Sequence, residues 1–153
     1  MLKLELRIPP PLVGLCVAAA MWAVARLPPA WGMAPGVRQA LVLALVLAGL
    51  AFDGLGVLAF RRLRTTVNPL RPQKASALVT GGVYRITRNP MYMGMALLLT
   101  AWAVHLSALW PFAGPPAFVF YIGRFQIAPE ERVLRDLFGE AWSAYAARVR
   151  RWL

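Results

Sequence analysis

One cysteine, one histidine and six carboxylates among 153 residues leave few groups on which catalysis could be built. A single thiol, Cys16, excludes an intrachain disulfide and a cysteine-based metal site. It falls in an apolar helical pattern with no base near it in sequence, which reads as a packing residue rather than a nucleophile. His105 is equally alone, so neither zinc hydrolysis nor a histidine-dependent triad can be assembled. Charge is scarce too: 15% of residues are charged against 59% hydrophobic, and mean hydropathy is +0.57. Such a chain lacks the polar surface to cover a water-soluble globule, so most of its apolar surface is expected to face lipid. The first apolar run follows Pro9-Pro10-Pro11 and lacks a clear small-residue cleavage site, so it is read as a retained helix rather than a leader.

The charge that is present is basic. Seventeen Lys and Arg give a net charge of +11, a balance that in a soluble chain points to nucleic acid. Here the bases cluster beside apolar runs, where anionic lipid head groups are the natural counter-charge, and nucleic acid is not expected. Four apolar spans are predicted, at about Leu12–Leu27, Val37–Phe60, Met91–Leu109 and Pro111–Phe125, the last broken by Pro115-Pro116. A bilayer core of about 30 Å wants ~20 helical residues, so the first and fourth are short. Pro28-Pro29 and Trp31-Gly32 turn the chain between the first two, and Ser107 to Pro111 between the last two, with Trp102 and Trp110 placed for an interfacial belt. Lys3, Arg7, the bases between Arg61 and Arg88, and those from Arg124 onward lie on one side, against only Arg26 and Arg38 on the other. The positive-inside rule then puts both termini and the middle loop in the cytoplasm. The expected fold is all-α, a polytopic membrane helical bundle in a bacterial inner membrane. It forms one domain, 1–153: a two-helix hairpin (1–60), then a loop, a second hairpin and an amphipathic C-terminal helix (61–153).

The densest signal runs from Leu78 to Gly94, LVTGGVYRITRNPMYMG. Polar and conformationally constrained residues at the mouth of a membrane helix are expensive there and usually line a cavity. Tyr84, Arg88, Asn89 and Tyr92 read either as an interface belt or as a rim for a planar or cationic ligand, since aromatic faces attract a sulfonium or stack on an adenine. After Phe125, apolar residues recur at Leu134, Leu137, Phe138, Ala141, Trp142, Tyr145, Val149 and Trp152, the 3/4 spacing of an amphipathic helix. Pro129 suits its first position, and Glu130-Glu131 either complement the helix dipole or supply acceptor lone pairs for a diol such as a ribose. Asp53 lies well inside the second span, where a carboxyl is costly and faces a cavity or a partner; an arginine from the loop and a kink at Asp53-Gly54-Leu55-Gly56 are the expected accommodations. Gly54-Leu55-Gly56 is no dinucleotide fingerprint, because it does not follow a strand.

Two segments carry a resemblance to the isoprenylcysteine carboxyl methyltransferase and phospholipid methyltransferase families, over about the last 90 residues. LVTGGVYRITRNPMYMG is similar to L-V-T-x-G-x-Y followed by R-[HN]-P-x-Y-x-G, and EERVLRDLFGEAWSAYAARVRRW to E-E-x-x-L-x-x-x-F-G-x-x-[YW]-x-x-Y-x-x-x-V-x-R. The resemblance implies an integral-membrane enzyme that uses S-adenosylmethionine, with membrane lipids around it and a lipophilic or small-molecule methyl acceptor. It implies that Leu78, Val79, Tyr84, Asn89, Pro90, Met91 and Tyr92 wrap the cofactor, with Glu130 and the adjacent Glu131 reaching it from the tail. Arg88, Asn89 and Glu130 are the implied catalytic set, Arg88 orienting the acceptor or a cofactor carboxylate. Asn89 stands where the prenylcysteine enzymes usually have histidine, and it cannot act as a base at neutral pH. At the substrate-facing position four residues before Glu130 those enzymes carry arginine, and this chain has Gln126. A neutral amide cannot give the forked pairing that a carboxylate wants, so the expected acceptor is not a prenylcysteine carboxylate. Two other readings stay open: an NADPH-dependent reductase of the sterol-reductase-like type, and a non-enzymatic protein that binds anionic lipid.

Overall fold

In the computed structural model, residues 5–63, 73 and 75–153 are described. The bases at Lys3, Arg64, Arg71 and Lys74 lie outside them. Five α-helices account for most of the described chain: α1 Pro10–Val24, α2 Pro35–Arg62, α3 Pro90–Leu106, α4 Gly114–Ile122 and α5 Ala128–Arg148. Each of the five opens with a proline in its first turn, where a missing N–H costs nothing and a fixed φ favours helix. That placement corrects one expectation: Pro115-Pro116 do not break the fourth span but start it, at Gly114, after a 3₁₀ turn at Trp110–Ala113. A second correction concerns the tail, which is not a separate helix. α4 passes through a π-turn at Gly123–Ile127 straight into α5. A third is that α5 bends sharply at Gly139, whose φ of 49° and ψ of −118° are non-helical; a left-handed φ is tolerated there because glycine has no Cβ.

The α2–α3 pair forms the most extensive helix contact, and glycines set its closeness. A Cβ on Gly49 would lie 3.0 Å from the Gly94 carbonyl, and one on Gly56 would lie 2.8 Å from Met91 Cγ. Small residues at such a seam let two backbones approach. α2 therefore runs unbroken through Asp53-Gly54-Leu55-Gly56, and the expected kink is absent. α1, α3 and α4 share the larger core cluster, around Met21, Leu99, Ala103, Phe118 and Ile122. Their far turns are tied together: Trp31 N–H donates to the Ser107 carbonyl (2.8 Å) and Trp110 Nε1 to the Pro28 carbonyl (2.9 Å). Trp102 is partly buried, packed against the core with its Nε1 donating to the Ala18 carbonyl.

The outside is apolar. Leu15, Leu43, Leu47 and Leu55 are each more than half exposed, and Phe120 is 74% exposed. Cys16 also lies on this exterior, not in the packing where the sequence put it. Contiguous exposed apolar surface on this scale marks a face made for lipid or protein. Among the described residues one helix, α2, is long and apolar enough to cross a membrane; α1 and α3 are apolar but shorter.

Candidate active site

At the opposite end from those turns, a second cluster joins the segment before α3 to α5: Val79, Val83, Tyr84, Trp142 and Tyr145. Gly82, at φ 61°, turns the chain into a short 3₁₀ turn at Gly82–Arg85 that buries the Tyr84 ring. Tyr145 Oη donates to the Tyr84 carbonyl at 2.7 Å, and Phe60 from α2 meets the Tyr84 ring edge-on at 5.6 Å. The following Thr87-Arg88-Asn89 turn is clamped by two backbone carbonyls. Arg88 N–H donates to the Arg150 carbonyl (3.0 Å), while Thr87 Oγ1 (3.1 Å) and Asn89 Nδ2 (2.8 Å) donate to that of Arg151. Asn89 thus spends its amide group on the strap after α5, and Pro90 begins α3 fully buried.

The two neighbouring carboxylates of α5 have different surroundings. Glu130 Oε1 accepts from Tyr92 Oη at 2.7 Å and from Gln126 Nε2 at 2.6 Å. Burial pushes its carboxyl up from an ordinary value near 4.5 to about 7; the bonds from Gln126 and Tyr92 oppose the rise, and the neighbouring Glu131 adds to it. Glu131 is ion-paired on both sides, with Arg88 Nη2 at 3.2 Å and Arg151 Nη2 at 2.5 Å. Arg88 in turn lies over the Trp142 ring, 5.5 Å from its centroid. Burial also pushes the Tyr84 and Tyr145 hydroxyls up, keeping both neutral.

These groups enclose a cavity of about 100 Å³. Leu78, Val79, Tyr84, Arg88, Asn89, Met91, Tyr92, Glu130 and Glu131 all line it. Two residues of the sequence-derived set do not. Pro90 is buried beneath, and Gln126, 2% exposed, stands behind Glu130 as its hydrogen-bond donor. The cavity wall also contains Phe60, Ala75, Ala77, Leu134, Trp142 and Tyr145. Leu134, Trp142 and Tyr145 were visible as part of an apolar stripe; nothing in the pattern distinguished them from ordinary packing. Among the described residues Arg88 is the only basic one in the lining, and its Nε is buried with no hydrogen-bond partner. Such an orphaned donor, beside an aromatic wall and a carboxyl, is a place for a ligand acceptor group.

The described helices form a bundle with apolar flanks and a cavity at one end, walled by the segment before α3 and by α5. Residues 37–141 match the phospholipid methyltransferase family, and the chain belongs to it. A "Probable protein-S-isoprenylcysteine O-methyltransferase" from rice, found in both indica and japonica, is 32% identical over 113 residues. That match covers 70% of this chain but 56% of the rice proteins, so the chain spans little more than half their length. An uncharacterized protein of Haemophilus influenzae is 40% identical over 63 residues, 41% of this chain and all of that protein. No solved structure matches the chain.

Proposed function

We propose that the chain is an S-adenosylmethionine-dependent methyltransferase of the membrane, acting on a small or lipophilic acceptor reached from the bilayer. One observation carries the reading: Tyr92 of α3 and Glu130 of α5, 38 residues apart, meet at 2.7 Å in the wall of one cavity. The residues there fit an adenosyl sulfonium donor. Glu130 offers acceptor lone pairs for a ribose diol, and the Tyr84 and Trp142 faces suit an adenine or a sulfonium. The unpartnered Arg88 Nε suits the donor's carboxylate. Glu131 and Trp142 hold Arg88 in place for that role.

When bound, the donor supplies an activated methyl group on a good leaving group. The chain's own task is alignment and exclusion of water. The clamp from Arg150 and Arg151 fixes the Thr87–Asn89 turn, Tyr145 fixes Tyr84, and Gln126 with Tyr92 fixes the Glu130 carboxyl. With about 100 Å³ of open space, the wall must give to admit an adenosyl group.

In this reading α1 to α4 cross the bilayer as two hairpins, α5 carries the α4 axis on past the π-turn as far as Gly139, and the cavity opens at the cytoplasmic face, where the bases concentrate. Isothermal titration in detergent with S-adenosylhomocysteine and, separately, NADPH tests it. Micromolar binding of the former and none of the latter is expected; the reverse result overturns the assignment. Incubation with labelled S-adenosylmethionine and membrane lipid extract, followed by mass analysis, identifies the acceptor.

A further inference from the structure

The wall of the cavity does not use every buried polar group nearby. Asp136 and Glu140 are exposed; among the remaining described carboxylates, Glu5 is paired with Arg124 and Arg132, Glu131 with Arg88 and Arg151, and Glu130 is bonded to Tyr92 and Gln126. Asp53 is the exception: its Oδ1 is buried and has no hydrogen-bond partner, and the arginine expected from the loop is not found beside it among the described residues. It lies about two-thirds of the way along α2, the helix most capable of crossing a membrane among the described residues. A carboxyl in such a place marks a functional site by default, because nothing apolar compensates its desolvation.

Its setting is made for it. Gly94 of α3 lies directly against the Asp53 carboxyl, and a Cβ on Gly94 would collide with Oδ1. Glycine at that position leaves the carboxyl its space in an otherwise close seam. The seam leads to the cavity. Gly56 is one helical turn beyond Asp53 on the same face of α2, about 5 Å along the axis. Met91 packs on Gly56, and the same Met91 side chain lines the cavity. Methionine is the most adaptable apolar wall available, with three rotatable bonds.

We infer that Asp53 is the proton-accepting group for the methyl acceptor, and that the acceptor is accordingly a protic nucleophile, an N–H or O–H group. This rests on the methyltransferase reading above. In the step, the acceptor's proton passes to the Asp53 carboxylate and the freed electron pair of its nitrogen or oxygen forms the bond to the methyl carbon. The carbon–sulfur bond breaks with its pair remaining on sulfur, leaving a neutral thioether. The proton returns to water when product leaves. A carboxylate acceptor, having no proton to give at neutral pH, would have no use for Asp53.

The test has two arms. First, the product labelled from S-adenosylmethionine in membrane lipid extract is treated with mild base. A base-stable N- or O-methyl product is expected, and a base-labile methyl ester overturns the inference. Second, Asp53→Asn is expected to lower kcat by about 100-fold, with S-adenosylhomocysteine affinity within about two-fold of wild type and an unfolding temperature unchanged or raised. A loss of kcat below about ten-fold overturns it, as does a rate loss accompanied by lowered unfolding temperature that Asp53→Glu fails to reverse. The two readings fail separately. No S-adenosylhomocysteine binding by wild type sinks the methyltransferase assignment, whereas binding with undiminished Asp53→Asn turnover sinks only the role of Asp53.

Discussion

Replacing Glu130 with glutamine should make the free protein more stable and its cofactor binding worse. The carboxyl titrates near 4.5 in an unfolded chain and at about 7 in the fold, chiefly because it is buried. Between those values the folded state holds a proton that the unfolded state has lost, so stability falls as pH rises from about 4.5 to about 7 and is level above. At about 1.4 kcal/mol per pH unit, keeping Glu130 ionised in the fold costs on the order of 3 kcal/mol above pH 7. In Glu130→Gln that cost disappears. The amide oxygen can still accept from Tyr92 and Gln126, which keeps both donors satisfied. For a chain of this length the gain corresponds to an unfolding midpoint raised on the order of 10 °C at pH 8, shrinking to nothing near pH 4.5. Tryptophan fluorescence during heating in detergent, at pH 5 and pH 8, measures it. S-adenosylhomocysteine affinity should fall at least about ten-fold in the same variant, since a neutral amide forfeits the charge-assisted bonds to the diol. A variant that unfolds below wild type at pH 8 would refute the burial argument.

Other outcomes follow from the same contacts. If Glu130 holds the ribose as proposed, donor affinity in wild type should rise with pH through about 7, with a proton released on binding below that value, because the hydroxyls would bond to the ionised carboxylate; titration in buffers of different ionisation enthalpy reads the proton. Gly94→Ala should destabilise by about 1–3 kcal/mol, since a methyl there meets the Asp53 carboxyl and the Gly49 carbonyl across the α2–α3 seam; thermal unfolding checks it. Tyr145→Phe leaves the buried Tyr84 carbonyl without its 2.7 Å donor, at a cost of about 1–3 kcal/mol, and weakened S-adenosylhomocysteine binding should accompany the lower unfolding midpoint. Deleting residues 150–153 removes both carbonyls that clamp the Thr87–Asn89 turn; titration should then show donor binding lost while far-ultraviolet circular dichroism remains helical.

What the sequence disclosed and what it hid divide along physical lines. Tyr92 and Glu130 were legible because aromatic and acidic side chains are conspicuous beside apolar runs, and the structure brings them into contact. The α5 stripe announced a helix, and Trp142 and Tyr145 on it proved to be cavity wall. The strap was illegible, because its working groups are the Arg150 and Arg151 carbonyls, which every residue possesses. Pro115-Pro116 misled, since the same dipeptide breaks a helix from within and opens one at its first turn. The π-turn at Gly123–Ile127 has no composition of its own, and the bend at Gly139 was hidden inside a regular 3/4 spacing. The neutral Gln126, read as facing substrate from its place four residues before Glu130, donates to the Glu130 carboxyl.

The junction between α4 and α5 has a mechanical meaning. From Gly114 to Phe138 the backbone is one continuous helical shaft, with the π-turn as its shoulder and Glu130 just beyond it. If α4 crosses the lipid, the angle of that shaft answers to bilayer thickness, and each degree of lean is carried to the carboxyl that faces Tyr92. The hydrocarbon around the protein would then set the fit of its cofactor, and a thinner or thicker membrane would act on the enzyme as a lever rather than as a passive solvent.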